Sequence, residues 1–123
     1  MIFFEHVLNM DLYLFFYTLV LLIGVHAICD YPLQGDFLAK AKKDGPLPLY
    51  HLGIHCIIHA AGVLIVTSSL SLAILEFFFH MRIDSYKNKD QLSFGQDQAL
   101  HIICKVAIAL IYCTAVSNKI LPW

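Results

Sequence analysis

Long apolar runs separated by short polar stretches make up most of this sequence. A helix that crosses a bilayer needs about 20 mostly apolar residues, and four runs approach that length. We expect spans at residues 12–29, 49–67, 69–80 with a polar extension toward residue 87, and 94–116. The third run is short and contains Glu76, so a re-entrant or interfacial segment is the alternative there. The pattern predicts one all-α membrane domain over residues 1–123, a four-transmembrane-helix up-down bundle.

Composition and charge support a membrane location. Hydrophobic residues make up 59% of the 123 positions, and the mean hydropathy is +0.72. Because residues 1–11 contain no lysine or arginine, we expect the first span to be retained and not cleaved as a signal peptide. Basic residues follow the first and third runs, so the positive-inside tendency places both loops in the cytoplasm and both termini outside the inner (cytoplasmic) membrane.

The connection between the first two runs has a pattern of its own. Pro32 is expected to end or kink the first helix. Residues 35–40 read as a short amphipathic turn or helix on the membrane interface, and residues 44–48 form a break. This segment is expected either to cover a site or to anchor the chain to the membrane surface.

Polar side chains that can bind metal recur in pairs spaced four residues apart. The pairs are His26 with Asp30, His51 with His55, His80 with Asp84, and Asp97 with His101. Residues four apart share one face of a helix. Since the pairs end runs one and three and begin runs two and four, an up-down bundle places all of them at one depth, near the cytoplasmic interface. Only His6, expected to be a plain interfacial residue, falls outside this pattern.

Such side chains are costly in a bilayer and usually face the bundle interior, where they pair or bind ions. The donors suit one or two divalent metal ions, with zinc as the first choice and iron or manganese as alternatives. Because His59 follows His55 by four residues, either His51 or His59 can complete that pair. Glu76 precedes His80 by four residues, and Lys105 follows His101 by four, so each lies one helical turn deeper than the paired residues. We expect them to form a buried ion pair, unless Glu76 is itself a ligand.

Four short motifs resemble those of a family of small phage and bacterial membrane proteins known only as a domain of unknown function. They begin at His26, His55, His80 and Asp97, and the resemblance extends from about residue 20 to residue 105. It implies a membrane location, and it favours His59 over His51. The resulting ligand set is His26, Asp30, His55, His59, His80, Asp84, Asp97 and His101. Further residues expected around the ligands or the substrate are Gln34, Lys40, His51, Glu76, Lys87, Gln98 and Lys105.

The chemistry of the site favours hydrolysis, although the family implies no reaction. A metal lowers the pKa of a bound water and polarises a phosphoryl or acyl oxygen, and nearby basic residues attract phosphate. We therefore expect a metal-dependent hydrolase of a lipid phosphate or ester, or of another phosphate-bearing substrate, with Asp84 or Asp97 as general base. The layout is also similar to that of membrane-embedded metal-dependent hydrolases, by analogy only.

Other functions stay open at this point, including the question whether the chain is an enzyme. A phage or bacterial membrane interaction factor with a structural metal site is the main alternative. A di-iron membrane oxygenase fits less well because the sequence has no His-His dipeptide. An ion transporter fits less well because the polar residues cluster at one end of the spans. The expected partners are the lipid bilayer and a phosphate-bearing substrate, without nucleic acid, and a homodimer is an open alternative to a monomer.

Overall fold

The computed structural model describes residues 10–119, and these fold into five α-helices without a strand. The helices are α1 (Leu12–Asp30), α2 (Gly35–Asp44), α3 (Pro48–Thr67), α4 (Leu70–Asn88) and α5 (Phe94–Ser117). The all-α prediction is confirmed. His6, which we expected to lie outside the polar pattern, falls outside the described residues.

Local polar contacts explain where the long helices begin. The Asp11 carboxylate accepts hydrogen bonds from the backbone N–H groups of Tyr13 and Leu14 at 2.9 and 3.2 Å, which caps α1. Ser93 and Gln96 form a reciprocal capping box at the start of α5. Ser69 caps α4 directly after Ser68, whose backbone is left-handed at φ 53°. This two-residue turn forces α3 and α4 to run antiparallel.

The first connection folds as a helix that packs on the bundle. α1 ends at Asp30, two residues before Pro32, as the sequence predicts. A turn then leads to α2, which extends beyond the predicted residues 35–40 to Asp44. Leu38 is buried on α2 while Lys40 is exposed, so one face of this helix packs against α3. The amphipathic pattern of this segment therefore corresponds to a helix that packs against α3.

The four long helices form a ring in which each contacts two neighbours: α1 with α3, α3 with α4, α4 with α5, and α5 with α1. Toward the α3–α4 turn the interior is apolar and is built from Leu22, Val63, Leu72, Ile108 and Ala109. The buried histidines and charged side chains of the four helices lie toward the other end. The bundle is thus divided into an apolar half and a polar half.

Three helices in the described part of the chain, α1, α3 and α5, are long and apolar enough to cross a membrane. The predicted fourth span is not among them. α4 has 19 residues, but it carries charged residues that lower its hydropathy, namely Glu76, Arg82, Asp84 and Lys87. Large apolar side chains such as Val20, Ile65 and Ile103 are exposed on the three apolar helices. Their outer surfaces suit contact with lipid.

Candidate metal centre

Five histidines meet inside the polar half of the bundle, one each from α1, α4 and α5 and two from α3. The rings of His26, His55, His59, His80 and His101 are at most 4% exposed. Each comes from a helix that also presents a second polar residue one turn away, and the antiparallel ring of helices brings these turns to one level. Histidine rings buried this deeply require hydrogen-bond or metal partners, because unsatisfied polar groups are costly to bury.

Asp30, at the end of α1, lies among three of these rings. Its Oδ1 is 3.0 Å from His59 Nε2 and 3.4 Å from His55 Nε2, and its Oδ2 is 3.2 Å from His26 Nε2. The side chain is 13% exposed, so it lies at the boundary between the buried rings and the surface.

Asp84 has the corresponding position on α4. Its Oδ1 is 3.2 Å from His101 Nε2 and 3.6 Å from His80 Nε2, and its Oδ2 is 3.4 Å from His55 Nε2. The Lys42 ammonium of α2 also donates to Oδ2 at 2.5 Å. The two carboxylates therefore share His55 Nε2, and each otherwise faces two imidazoles that the other does not reach.

The nitrogens also face one another, which hydrogen bonds alone do not explain. His55 Nε2 is 3.2 Å from His80 Nε2 while it also faces Asp30 and Asp84. One ring nitrogen has a single proton or a single lone pair, so it cannot satisfy three partners. Ligands about 2.0–2.2 Å from a tetrahedral metal ion are about 3.3–3.6 Å apart, close to the separations found here. A shared cation fits this convergence.

Unpaired atoms and charge give two further tests of that fit. Buried side-chain atoms without a hydrogen-bond partner in the described residues include both ring nitrogens of His26, Nδ1 of His55, Oε2 of Glu76 and Oδ1 of Asp97. The charged groups of the cluster are four carboxylates and two ammonium groups: Asp30, Glu76, Asp84, Asp97, Lys42 and Lys105. With neutral imidazoles, their formal charge is −2. Divalent cations would engage the free donors and offset the charge.

Three overlapping groups of side chains could each hold a metal ion. They are His26, His59, Glu76 and His80; Asp30, His55, His59 and His80; and His80, Asp84 and His101. The four cysteines are free thiols and belong to none of these groups within the described residues. Metal binding by buried histidines and carboxylates is thus supported, while the identity of the metal is not fixed by the geometry.

An ion pair lies one turn deeper, where Lys105 donates to Glu76 Oε1 between α5 and α4. Both side chains are at most 2% exposed. The same carboxylate oxygen is 3.2 Å from His80 Nδ1. If His80 is protonated on Nδ1, its Nε2 is free to bind a metal. The predicted pair beneath the cluster is present, and it orients one of the rings.

A cavity of about 260 Å³ opens above the carboxylates on the side of α2. Asp30, Asp84 and Asp97 lie at its base, and its other lining residues are Tyr31, Gln34, Ala39, Lys42, Lys43, Lys87, Asn88, Asp90, Phe94 and Gln98. The hydrogen bond of 2.7 Å between Lys43 and Asp90 raises the pKa of the lysine and lowers the pKa of the aspartate relative to their ordinary values. The cavity therefore connects the buried carboxylates to a surface with both lysines and an aspartate.

Three of the polar residues predicted around the donors lie beside the donors or in the cavity lining. Gln34 Nε2 donates to the backbone oxygen of Asp30 at 3.2 Å, and Gln98 Nε2 donates to Asp97 Oδ2 at 3.0 Å. Lys87 lines the cavity and donates to the backbone oxygen of Leu92 at 3.3 Å.

Two other predicted residues lie elsewhere. The His51 ring packs against Phe37, with the ring centroids 5.7 Å apart, and His59 instead lies beside His55 in the cluster. Lys40 is exposed, and Lys42 is the lysine of α2 that reaches Asp84. Lys42 follows the buried Leu38 by four residues, so the helical period could have identified it.

Together, the helices and the cluster define an all-α protein with three helices able to span a membrane and buried His/Asp groups able to hold metal. Residues 18–121 match the sequence model of the family described as protein of unknown function, DUF3307. The chain belongs to this family, which confirms the resemblance to a domain of unknown function. No curated protein and no solved structure matches the chain.

Proposed function

We propose that this protein is a membrane-embedded, metal-dependent hydrolase that cleaves a phosphate ester carried by a lipid. The observation that supports this most is the convergence of His55 Nε2 on Asp30, Asp84 and His80 within 3.2–3.4 Å, next to a cavity whose lining includes three lysines. A site for a metal and a site for an anionic substrate are therefore adjacent.

In this proposal α4 is the fourth span of a single bundle domain. Two of its charged residues, Glu76 and Asp84, are buried against Lys105 and Lys42 and so face away from lipid. Arg82 and Lys87 lie in its last two turns, within reach of the membrane surface. The basic residues of α2 and of the α4–α5 connection then mark the cytoplasmic side of the inner membrane, with both termini outside.

The metal would act as a Lewis acid and would lower the pKa of a bound water to about 7. Among the predicted bases, Asp84 is already engaged by Lys42 and two imidazoles. Asp97 is less engaged: Gln98 donates to its Oδ2, and its Oδ1 has no hydrogen-bond partner in the described residues. Asp97 also lines the cavity. It is the better placed of the two to accept a proton from the attacking water.

The cavity suits a phosphate group attached to an apolar tail. Lys42 and Lys87 provide ammonium groups for the phosphate. Tyr31 and Phe94 also line the cavity, and each is largely exposed next to the end of an apolar helix. Aromatic residues at this depth are typical of the boundary between headgroups and hydrocarbon. A lipid substrate would place its headgroup over the carboxylates without leaving the membrane.

A structural metal site is the second candidate function. It is favoured by the burial of the five histidine rings, since structural sites are closed whereas catalytic sites keep a position open to substrate. In that case the protein would act through contacts with another membrane component, and removal of the metal would unfold it.

Phosphate release by the purified protein tests the hydrolase. We would remove metal with a chelator, restore zinc, manganese or iron, and offer phosphatidic acid in mixed micelles alongside a soluble aryl phosphate. Wild-type protein and His51→Ala should hydrolyse the lipid only with metal, and Asp97→Asn should be slower by roughly 10²–10⁴-fold. A metal-loaded protein that releases no phosphate from either substrate would exclude the proposed reaction and leave the structural site.

A further inference from the structure

We infer that the centre holds two metal ions in two corresponding halves of the bundle. This rests on the metal binding proposed above and adds the number of ions and the ligands of each. The first half consists of α1 and α3, and the second of α4 and α5.

The donor atoms can be assigned to two sets that share no atom, with His55 Nε2 at their boundary, 3.2 Å from His80 Nε2 and 3.4 Å from Asp84 Oδ2. Each imidazole nitrogen can bind one ion, so a nitrogen assigned to one ion is not available to another. Asp30 Oδ1, with His59 Nε2 at 3.0 Å and His55 Nε2 at 3.4 Å, forms the first set. Asp84 Oδ1, with His101 Nε2 at 3.2 Å and His80 Nε2 at 3.6 Å, forms the second. Each set has two histidines and one carboxylate.

The sequence repeats the same arrangement. His80 and Asp84 follow His26 and Asp30 by 54 residues. The first pair ends α1, and the second lies one turn before the end of α4. His101 follows His55 by 46 residues, and Asp97 follows His51 by the same number. If α1 and α3 are exchanged with α4 and α5, the pair His26 and His101 becomes the pair His80 and His55. The ring centroids are 4.8 Å apart in the first pair and 5.0 Å apart in the second. Asp30 and His55 of the first set therefore correspond to Asp84 and His101 of the second. The third donors, His59 and His80, do not correspond to each other, so the two halves correspond in part.

The halves differ at three of the corresponding positions, and the differences fit separate ions. Lys105 takes the place of His59 in the second half, and Glu76 takes the place of Leu22. Their ion pair holds His80 through Nδ1 and leaves His80 Nε2 facing Asp84. The second half gains a carboxylate because Asp97 lies in the cluster whereas the corresponding His51 packs against Phe37.

A single ion would leave half of this arrangement unexplained. An ion held by Asp30, His55, His59 and His80 uses a complete tetrahedral set. It leaves Asp84, Asp97 and His101 buried without a cation apart from Lys42. Two divalent ions bring the formal charge of the cluster from −2 to +2, which favours an incoming phosphate dianion.

The test is the metal content of detergent-purified full-length protein, by elemental mass spectrometry, for wild type and for one variant in each set. Wild type should bind two ions, His59→Ala and His101→Ala one each, and the double variant none. His51→Ala is the matched control on α3 and should keep both. Circular dichroism and size-exclusion chromatography check folding, and Asp30→Asn with Asp84→Asn replaces the histidine variants if these do not fold.

Electron paramagnetic resonance of the manganese-loaded wild type provides a reading that needs no variant. Two neighbouring ions should give the signal of an exchange-coupled pair. One ion per chain in wild type, lost completely in either single variant, would overturn the two-ion inference and leave the metal centre standing. Wild type without bound metal would overturn both proposals.

Discussion

Replacing Lys105 by methionine should destabilise the bundle strongly, because it leaves a carboxylate buried between α4 and α5. Lys105 is the only ammonium that reaches Glu76 within the described residues, and both side chains are at most 2% exposed. In the variant, Glu76 would retain only His80 Nδ1, at 3.2 Å, as a donor to Oε1, while Oε2 already has no partner in the described structure. Breaking a buried ion pair from one side costs about 3–5 kcal/mol.

This cost is measured by equilibrium unfolding in mixed detergent micelles, with circular dichroism as the signal. A chelator is present throughout, so metal binding does not contribute to the free energy of unfolding. The double variant Glu76→Gln, Lys105→Met should recover most of the free energy of unfolding, since it removes both charges. Lys43→Met is the matched control, because its ion pair with Asp90 is exposed, at 37% and 76% of the two side chains, and its loss should not shift the transition. A Lys105→Met free energy of unfolding within about 1 kcal/mol of wild type would refute the reasoning.

Three further perturbations follow from the packing and the cavity. A Cβ at Gly62 would overlap Val25 Cγ1 across the α1–α3 contact, so Gly62→Ala should destabilise by about 1–3 kcal/mol. Gly53→Ala on the same helix meets nothing within 4 Å and should not destabilise in the same unfolding assay. Lys42→Met should raise KM for a phosphate-bearing lipid by about tenfold, whereas Lys40→Met should leave KM unchanged, because Lys42 lines the cavity and Lys40 does not. Metal restored to chelated protein at 100 times its Kd should raise the free energy of unfolding by about 2.7 kcal/mol for each ion bound, and an unchanged melting temperature would contradict binding to the folded state.

The sequence predicts the positions of the helices well because strong local signals mark their ends. Pro32 follows the end of α1, Ser68 and Ser69 form the α3–α4 turn, and Ser93 with Gln96 caps α5. The assignment of α4 is weaker because hydropathy treats Glu76 as exposed to lipid. In the structure this residue is buried against Lys105. The four-residue spacing of the polar side chains predicts the pairing of Glu76 with Lys105, whereas hydropathy alone does not.

The candidate site shows the same limit. Spacing places His55 on one face with both His51 and His59, and only packing against Phe37 turns His51 away from the cluster. Lys40 and Lys42 lie in one basic run, and the choice between them depends on how α2 docks through Leu38. The separation of donors into two sets depends on distances across the bundle, so it required the structure.

Elemental mass spectrometry of wild-type protein purified without a chelator tests the metal centre most directly, in parallel with His51→Ala and the double variant His55→Ala, His80→Ala. We predict zinc, manganese or iron in stoichiometric amounts in wild type and in His51→Ala. The double variant removes the two nitrogens that face each other at 3.2 Å, and it should lose the metal while retaining its helical circular dichroism. Wild-type protein free of metal, or a folded double variant with an undiminished metal content, would contradict a metal centre at these histidines.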